Sequence, residues 1–194
     1  MLIMTKTMNN AIIIQRINMI NSIKTEHLIL RKAQIKDLES IYKNVWSDAS
    51  LSKYMLWSPV KNLDEAKERL ERAIEFQSEN NLFFVCLKDT DEAIGFAGFV
   101  QSPEDPNVYN AGGICIASKY QNRGYGKEVV KALASLIFDE LHGTTFHYSC
   151  FKENTASAAL CESLGFTYIN TVKKLRTRDN LEYDSAEYEL KKTF

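Results

Sequence analysis

Cysteine and histidine are too sparse and too scattered here to build a metal centre or a disulfide framework. The four cysteines, Cys86, Cys115, Cys150 and Cys161, form no CxxC pair, and only three histidines accompany them. Neither a metal nor a disulfide is expected, and a reducing cytoplasmic compartment suits such a chain. An excess of one charge is also missing: 24 lysines and arginines meet 25 aspartates and glutamates, for a net charge of -1. Duplex DNA is held largely through phosphate contacts by a basic surface, so a dedicated duplex-DNA binder is not expected. Long apolar runs are absent too. The opening MLIMTKTMNNAIIIQRINMI offers only AIII before Arg16 interrupts it, whereas a signal peptide needs roughly 7–15 apolar residues and a membrane span about 20. Residues 1–22 are read as a loosely held extension or, given Met4, Met8 and Met19, as a start-site artefact, and no membrane partner is expected. With no repeat, linker or low-complexity block after it, 23–194 reads as one domain, long enough to bury a core without staples.

The periodicity that is present alternates between strand and helix. HLILR (27–31) reads as a strand, and Ile35, Leu38, Ile41, Tyr42, Val45 and Trp46 fall at helical spacing. NLDEAKERLERAIEFQ (62–77) is a second amphipathic helix, with Asn62 as cap and Glu65 placed to reach back to it. LFFVCLK and AIGFAGFVQ flank the turn-prone DTDE as a hairpin, ended by Pro103 and Pro106. VYNAGGICIA (108–117) follows as a strand in which Gly112 and Gly113 mark a bulge or a close backbone approach. Val129, Val130, Leu133, Leu136, Ile137 and Leu141 make one apolar helical stripe that stops at Gly143. A strand TTFHYSCF, a short helix closed by Gly165 and a final hairpin around RTRDN complete an α/β domain with a mixed sheet.

Between the glycine-bearing strand and the third helix lies QNRGYGKE (121–128). A helix N-terminus leaves backbone N–H groups unpaired and carries about half a positive charge. Glycine there lets the main chain approach a phosphate closely. Lys119, Arg123 and Lys127 add three cations with no acid among them. A nucleoside-triphosphate loop would need glycine at Gln121 and a hydroxyl at Glu128, and a dinucleotide turn would need glycine or alanine at Val129. Both patterns fail, which leaves a phosphate or pyrophosphate of another kind, or an ordinary strand-to-helix turn.

ICIASKYQNRGYGKEV, followed about thirty residues later by NTASAALCESLGF, resembles the GNAT superfamily of acyl-CoA-dependent N-acyltransferases. The first segment is similar to its [QR]-x-x-G-x-[GA] pyrophosphate motif and the second to its N-x-x-[SA] helix ending in Gly-Phe. TEHLILR, LSKYMLW and EYDSAEYEL are further similar to the ribosomal-protein-alanine N-acetyltransferase branch. The resemblance implies a central, mostly antiparallel sheet of about seven strands flanked by about four helices. It implies acetyl-CoA as co-substrate, with the backbone of Ile114, Cys115 and Ile116 along the pantetheine arm. The amides of Gln121, Asn122, Arg123, Gly124, Tyr125, Gly126 and Lys127 would wrap the pyrophosphate, and Asn154 would contact the arm, though asparagine there is also a good helix cap.

The implied reaction is direct attack of a neutral primary amine on a thioester, which needs a proton for the leaving thiolate. Many members carry a tyrosine acid where this sequence has Cys161. Ser157, one turn beyond Asn154, is the candidate general acid, with Cys161 a weaker alternative that also reads as a core thiol. No carboxylate stands out as base, and His147 reads as a structural strand histidine. Tyr54, Trp57 and Phe84 read as core, although LSKYMLW falls at the branch's substrate-side loop, and Lys173, Lys174, Arg176 and Arg178 read as a solvated hairpin or, alternatively, a dock for an acidic or RNA-rich partner. Three functions follow: acetyl transfer to a protein N-terminal α-amine or small amine, a non-catalytic acyl-CoA sensor or scaffold, and an RNA- or ribosome-binding protein. The acceptor and any homodimer are left open.

Overall fold

The computed structural model describes residues 20–193; the expected extension lies almost wholly outside them. An eight-stranded sheet runs in the order β1-β2-β3-β4-β5-β6-β8-β7. Its strands are β1 (Ser22–Lys24), β2 (Leu28–Arg31), β3 (Leu82–Leu87), β4 (Ala93–Gln101), β5 (Val108–Ile116), β6 (Thr145–Phe151), β7 (Thr167–Arg176) and β8 (Leu181–Lys191). Six of the neighbouring pairs are antiparallel and β5–β6 is parallel. The mixed, mostly antiparallel sheet agrees with the sequence reading. The additional strand is β1, whose three residues are too few to display a period, and just before it Ile20 N donates to Asn81 Oδ1 at 3.1 Å.

The helices are α1 (Leu38–Ile41), entered by a 3₁₀ turn at Ile35–Asp37 and left by a π turn at Tyr42–Trp46, then α2 (Ala49–Ser52), α3 (Leu63–Glu79), α4 (Tyr125–Ser135) and α5 (Thr155–Ser163). Asn62 caps α3 by accepting from Glu65 N at 2.9 Å, and Glu65 reaches back to Lys61 N, one residue earlier than the expected cap. The apolar stripe of α4 is realised, with Val129, Val130, Leu133 and, in the following π turn, Ile137 fully buried; each such side chain contributes roughly 1.5–3 kcal/mol. No helix among the described residues is long and apolar enough to cross a membrane.

Alternation along β3 divides the core between the two faces of the sheet. Phe83 and Val85 join the cluster that packs under α4, while Phe84 and Cys86 join the one that holds Ile41, Trp46, Ala66 and Leu70 of the α1–α3 layer. Both faces are therefore covered, and the opening in the sheet lies between β5 and β6. That pair is joined only at Val108–Thr145, Tyr109–Phe146 and Asn110–His147. Beyond Asn110 the strands part. The cause is local: the β4–β5 register shifts between Ala97 and Phe99, and Gly113 adopts φ +93°, a bulge that bends β5 away from its neighbour.

Candidate active site

The parted strands open a wedge that passes through the sheet, with a cavity at either side. One, of about 500 Å³, is lined by Ile114, Cys115 and Ile116 of β5, by the glycine turn and by α5. The other, of about 300 Å³, is lined by Ala111 to Ile114 of β5, by β6 and by the loop after α2. They share Ile114, Tyr148, Asn154, Ser157, Tyr54 and Met55. The junction of the two cavities is thus the point where Ser157 meets the open edge of β5.

The glycine turn sits at the far end of the larger cavity. Gln121 Nε2 donates to Ile116 O at 2.9 Å, closing the end of β5, and Asn122 takes φ 61°. Gly124 is the N-cap of α4 at φ +85°, and no side chain caps the helix. The first helical bond is Glu128 N to Gly124 O at 3.0 Å, so the N–H groups of Tyr125, Gly126 and Lys127 precede the ladder and point out of the helix end. Glu128 lies in the same turn, where a free carboxylate would repel an anion. It is instead turned away, accepting from Thr25 Oγ1 at 2.5 Å and from His27 N at 2.8 Å, with the His27 ring at 3.0 Å. Burial works against that carboxylate, yet these bonds more than offset it and hold its pKa below the usual glutamate value.

The three sequence cations separate in the structure. Lys127 lines the larger cavity, whereas Lys119 pairs with Glu92 at 3.2 Å and Arg123 stacks 5.4 Å from the Tyr120 ring without lining either cavity. Gln121, Asn122, Gly124, Tyr125, Gly126, Cys115 and Asn154 all line the larger cavity. Asn154 caps α5, accepting from Ser157 N at 3.2 Å. Ser118 Oγ donates to Asp48 Oδ2 at 2.7 Å, tying the start of α2 to the turn and fixing the outer wall.

At the junction the Ser157 hydroxyl lies 3.0 Å from the hydroxyl of Tyr148. Tyr148, not singled out by the sequence, is buried on β6, and desolvation raises its pKa well above the ordinary tyrosine value. Its only sequence signal is the inward register it shares with Phe146, which reads as core. The half-buried Cys150 thiol lines the smaller cavity with Ser157, and burial pushes its pKa up. Cys161 is different. It is fully buried in the main core, lines neither cavity, and desolvation drives its thiol far up. It lies four positions, about one turn, beyond Ser157 on α5. Among the described residues no carboxylate lines either cavity, and His147 lines neither. Among the described residues no three His, Cys, Asp or Glu side chains gather as metal ligands would.

The smaller cavity corrects two readings. Tyr54 and Trp57 line it; Phe84 is buried in the core, and Trp57, partly buried, packs against that core as well. Arg176 and Arg178 are not a solvated patch. Arg176 is 7% exposed, pairs with Asp179 at 2.7 Å and donates to Lys53 O at 2.7 Å. Arg178 donates to Trp57 O at 2.6 Å and Ser52 O at 3.0 Å. Lys173 and Lys174 pair with Asp184 and Glu187 at 2.7 and 2.8 Å. All four cations are engaged within the chain, Arg176 buried, Arg178 half-buried, and Lys173 and Lys174 in solvent-accessible ion pairs.

Residues 27–167 match the acetyltransferase (GNAT) domain family. N-acetyltransferase p20 of Bacillus licheniformis is 28% identical over 144 residues, covering 73% of this chain and 80% of its own. A GNAT-family acetyltransferase from Bacillus anthracis has a crystal structure similar in fold, with a TM-score of 0.74 at 24% identity over 88% of this chain and 98% of that one. RimL, a ribosomal L7/L12 alpha-N-protein acetyltransferase solved in complex with coenzyme A, gives 0.72 at 18% identity over 88% and 98%. With the family match extending from β2 to the start of β7, across the glycine turn and the whole of α5, this chain belongs to the GNAT acetyltransferase family and is an N-acetyltransferase.

Proposed function

We propose that the protein transfers the acetyl group of acetyl-CoA to a primary amine by direct attack, the larger cavity taking the co-substrate and the smaller one the amine. The observation that carries this reading is the meeting of the two cavities at the Ser157 hydroxyl, with an uncapped helix end closing the larger one. The fit to the co-substrate rests on three features. Three amides precede the α4 ladder, a Cβ built on Gly124 would have nothing within 4 Å, and the edge of β5 facing β6 has no strand partner beyond Asn110. Lys127 and the amides of the turn would hold the pyrophosphate, and the β5 edge at Ile114, Cys115 and Ile116, where Gln121 takes only the Ile116 carbonyl, the pantetheine arm. RimL, similar in fold, has been solved with coenzyme A. When bound, acetyl-CoA supplies an electrophilic thioester carbonyl and a thiol leaving group.

The chain's own residues do the remainder. Ser157 holds a proton at Oγ where sulfur would depart, and Tyr148, kept neutral by burial, backs that hydroxyl and can restore its proton. Without a carboxylate in the cavity the amine enters already neutral. An α-amine with a pKa of about 7.7–8.0 supplies a usable neutral fraction near pH 7. Ser157→Ala tests the assignment. Acetyl-CoA affinity by calorimetry should stay within a factor of two while kcat falls about 100-fold, the lower end of general-acid contributions. Unchanged turnover would remove Ser157 from the mechanism. The displacement of Cys161 into the core, where many relatives place their acid, favours one second reading, a non-catalytic acyl-CoA sensor. Acetyl-CoA binding with no turnover of any amine in the unmodified protein would decide for it.

A further inference from the structure

The smaller cavity carries chemistry that narrows the acceptor. Six aromatic residues line it: Tyr54, Trp57, Phe96, Tyr148, Phe151 and Tyr183. No lysine, arginine, aspartate, glutamate or histidine does. The rings form two walls. Phe151 and Tyr183 stack with centroids 3.8 Å apart at 11°, and Tyr54 tilts against Phe151 at 5.8 Å. Trp57 and Phe96 meet edge to face at 6.5 Å.

Cations stand behind the walls of the box, and the acids nearby are already paired: Asp179 with Arg176 at 2.7 Å, and Glu187, close enough to Cys150 to add to the burial that raises its thiol, with Lys174 at 2.8 Å. The Arg69 guanidinium sits 4.8 Å from the Trp57 ring, and that of Arg176 lies 5.5 Å from the Phe151 ring. A polyamine or aminocyclitol acceptor needs carboxylates to replace the water it sheds on burial, because an unpaired buried charge is very costly. This cavity offers none. A flat uncharged ring loses nothing there and gains offset stacking against either wall.

We propose that the acceptor is a primary amine carrying a flat, uncharged aromatic group, the ring lying between the two walls and the amine reaching the Ser157 junction. The proposal rests on the acetyl-transfer reading above and gives it a substrate class. In the step an N–C bond forms to the acetyl carbon as the C–S bond breaks. One proton passes from the amine to the departing sulfur with Ser157 Oγ as carrier, so the products are an N-acetyl amide and a free thiol. The aromatic amine has two sources, a small arylalkylamine or a polypeptide whose first residue is aromatic.

The test uses the full chain. Acetyl-CoA binding is measured first by calorimetry, then kcat/KM for tryptamine, phenethylamine, a peptide beginning with Phe, propylamine and spermidine, at one pH. The aromatic acceptors should exceed propylamine by at least ~10-fold, the scale on which apolar pockets discriminate, and spermidine by more. A lead for the peptide or for the small amines supports the proposal either way and identifies the source. Turnover of propylamine or spermidine equal to or above the aromatics overturns the substrate class and leaves acetyl transfer intact. Absence of acetyl-CoA binding overturns both. If no amine turns over, calorimetric titration of tryptamine into the CoA-saturated protein decides: binding tighter than spermidine supports the class, and none overturns it. Trp57→Leu should cut the aromatic-to-propylamine ratio about 10-fold, and Tyr183→Thr serves on the opposite wall if Trp57→Leu does not fold. An unchanged ratio in both variants that fold would count against the walls as the recognition element.

Discussion

The two glycines of the turn have different physical roles. Gly124 at φ +85° is required by the backbone, which no L side chain adopts cheaply, whereas Gly126 is helical and a Cβ there would meet only Leu160 Cδ2 at 3.6 Å, an ordinary contact. Gly126 is therefore replaceable as far as the fold is concerned, and its smallness matters only to whatever lies over the helix end. Gly126→Glu isolates that role. An acid in the first turn of a helix is mildly favourable to the helix dipole, by roughly 0.3–1 kcal/mol, so thermal stability should be retained. The same carboxylate stands where the free amides of Tyr125 and Lys127 emerge, and acetyl-CoA affinity should fall at least 100-fold by calorimetry, the cost expected for setting an anion beside a pyrophosphate. Normal affinity in that variant would mean the pyrophosphate lies elsewhere. Gly126→Ala, by contrast, should fold and bind nearly as the parent does.

The β7–β8 hairpin works as a clamp on the opposite side of the wedge. Arg176 and Arg178 reach across more than 120 positions of sequence to the carbonyls of Ser52, Lys53 and Trp57, which bracket the stretch from Tyr54 to Trp57 that lines the smaller cavity. Arg178→Ala removes two of these bonds and leaves the glycine turn untouched. We expect the KM for the acceptor to rise about 10-fold, on the scale of one or two lost hydrogen bonds to a charged group, with acetyl-CoA affinity unchanged. Lysine at 178 has a single ammonium and cannot satisfy two separated carbonyls as a guanidinium fork does, so Arg178→Lys should recover little. Equal losses of acceptor and co-substrate affinity would point to general unfolding of the loop instead. This clamp also marks where sequence reading stops. The stripe of α4, the cap of α3, the Gly112–Gly113 break in β5 and the glycine turn before α4 are local patterns, and each was legible because its cause lies within a few residues. Tyr148 and Ser157 meet only because β6 and α5 pack together, and Arg178 reads as a solvated cation until the loop it holds is in view. Long-range contacts leave no period in a sequence.

At the scale of the whole molecule, two charge clusters hold the layers to the sheet. Arg31 makes a bidentate pair with Asp37 at 2.7 and 2.8 Å, bonding β2 to the entry of α1, and adds Asp91 of the β3–β4 turn at 2.7 Å. Arg31 and Asp37 are 8% and 2% exposed. Asp37→Asn removes the buried countercharge and one of the two acceptors of the bidentate pair, leaving the guanidinium to Asp91 and the Lys32 carbonyl, which costs about 3 kcal/mol or more. Urea unfolding at pH 7 should show the midpoint falling with the slope unchanged. On the other face, His27 and Glu128 link β2 to the start of α4.

These clusters set the pH range of the fold from both ends. Asp91 is held below the usual aspartate value chiefly by its bond from Arg31, and Glu92 below the usual glutamate value chiefly by Asn44. Depressed carboxylates stabilise above their unfolded pKa, near 4, and that contribution is lost as pH falls through their folded values. His27 is shifted the opposite way, raised above 6.5 first by its bond with Glu128. Its contribution is complete below 6.5 and is lost as pH rises through the higher folded value. Melting temperature should therefore be highest between about pH 5 and 6.5, fall steeply below about pH 4, and decline gently toward pH 8. His27→Gln should flatten the upper decline and leave the acid limb in place, whereas Asp91→Asn should soften the acid limb alone. An upper decline of undiminished slope in His27→Gln would assign it to some other group and remove His27 as the link between β2 and the start of α4.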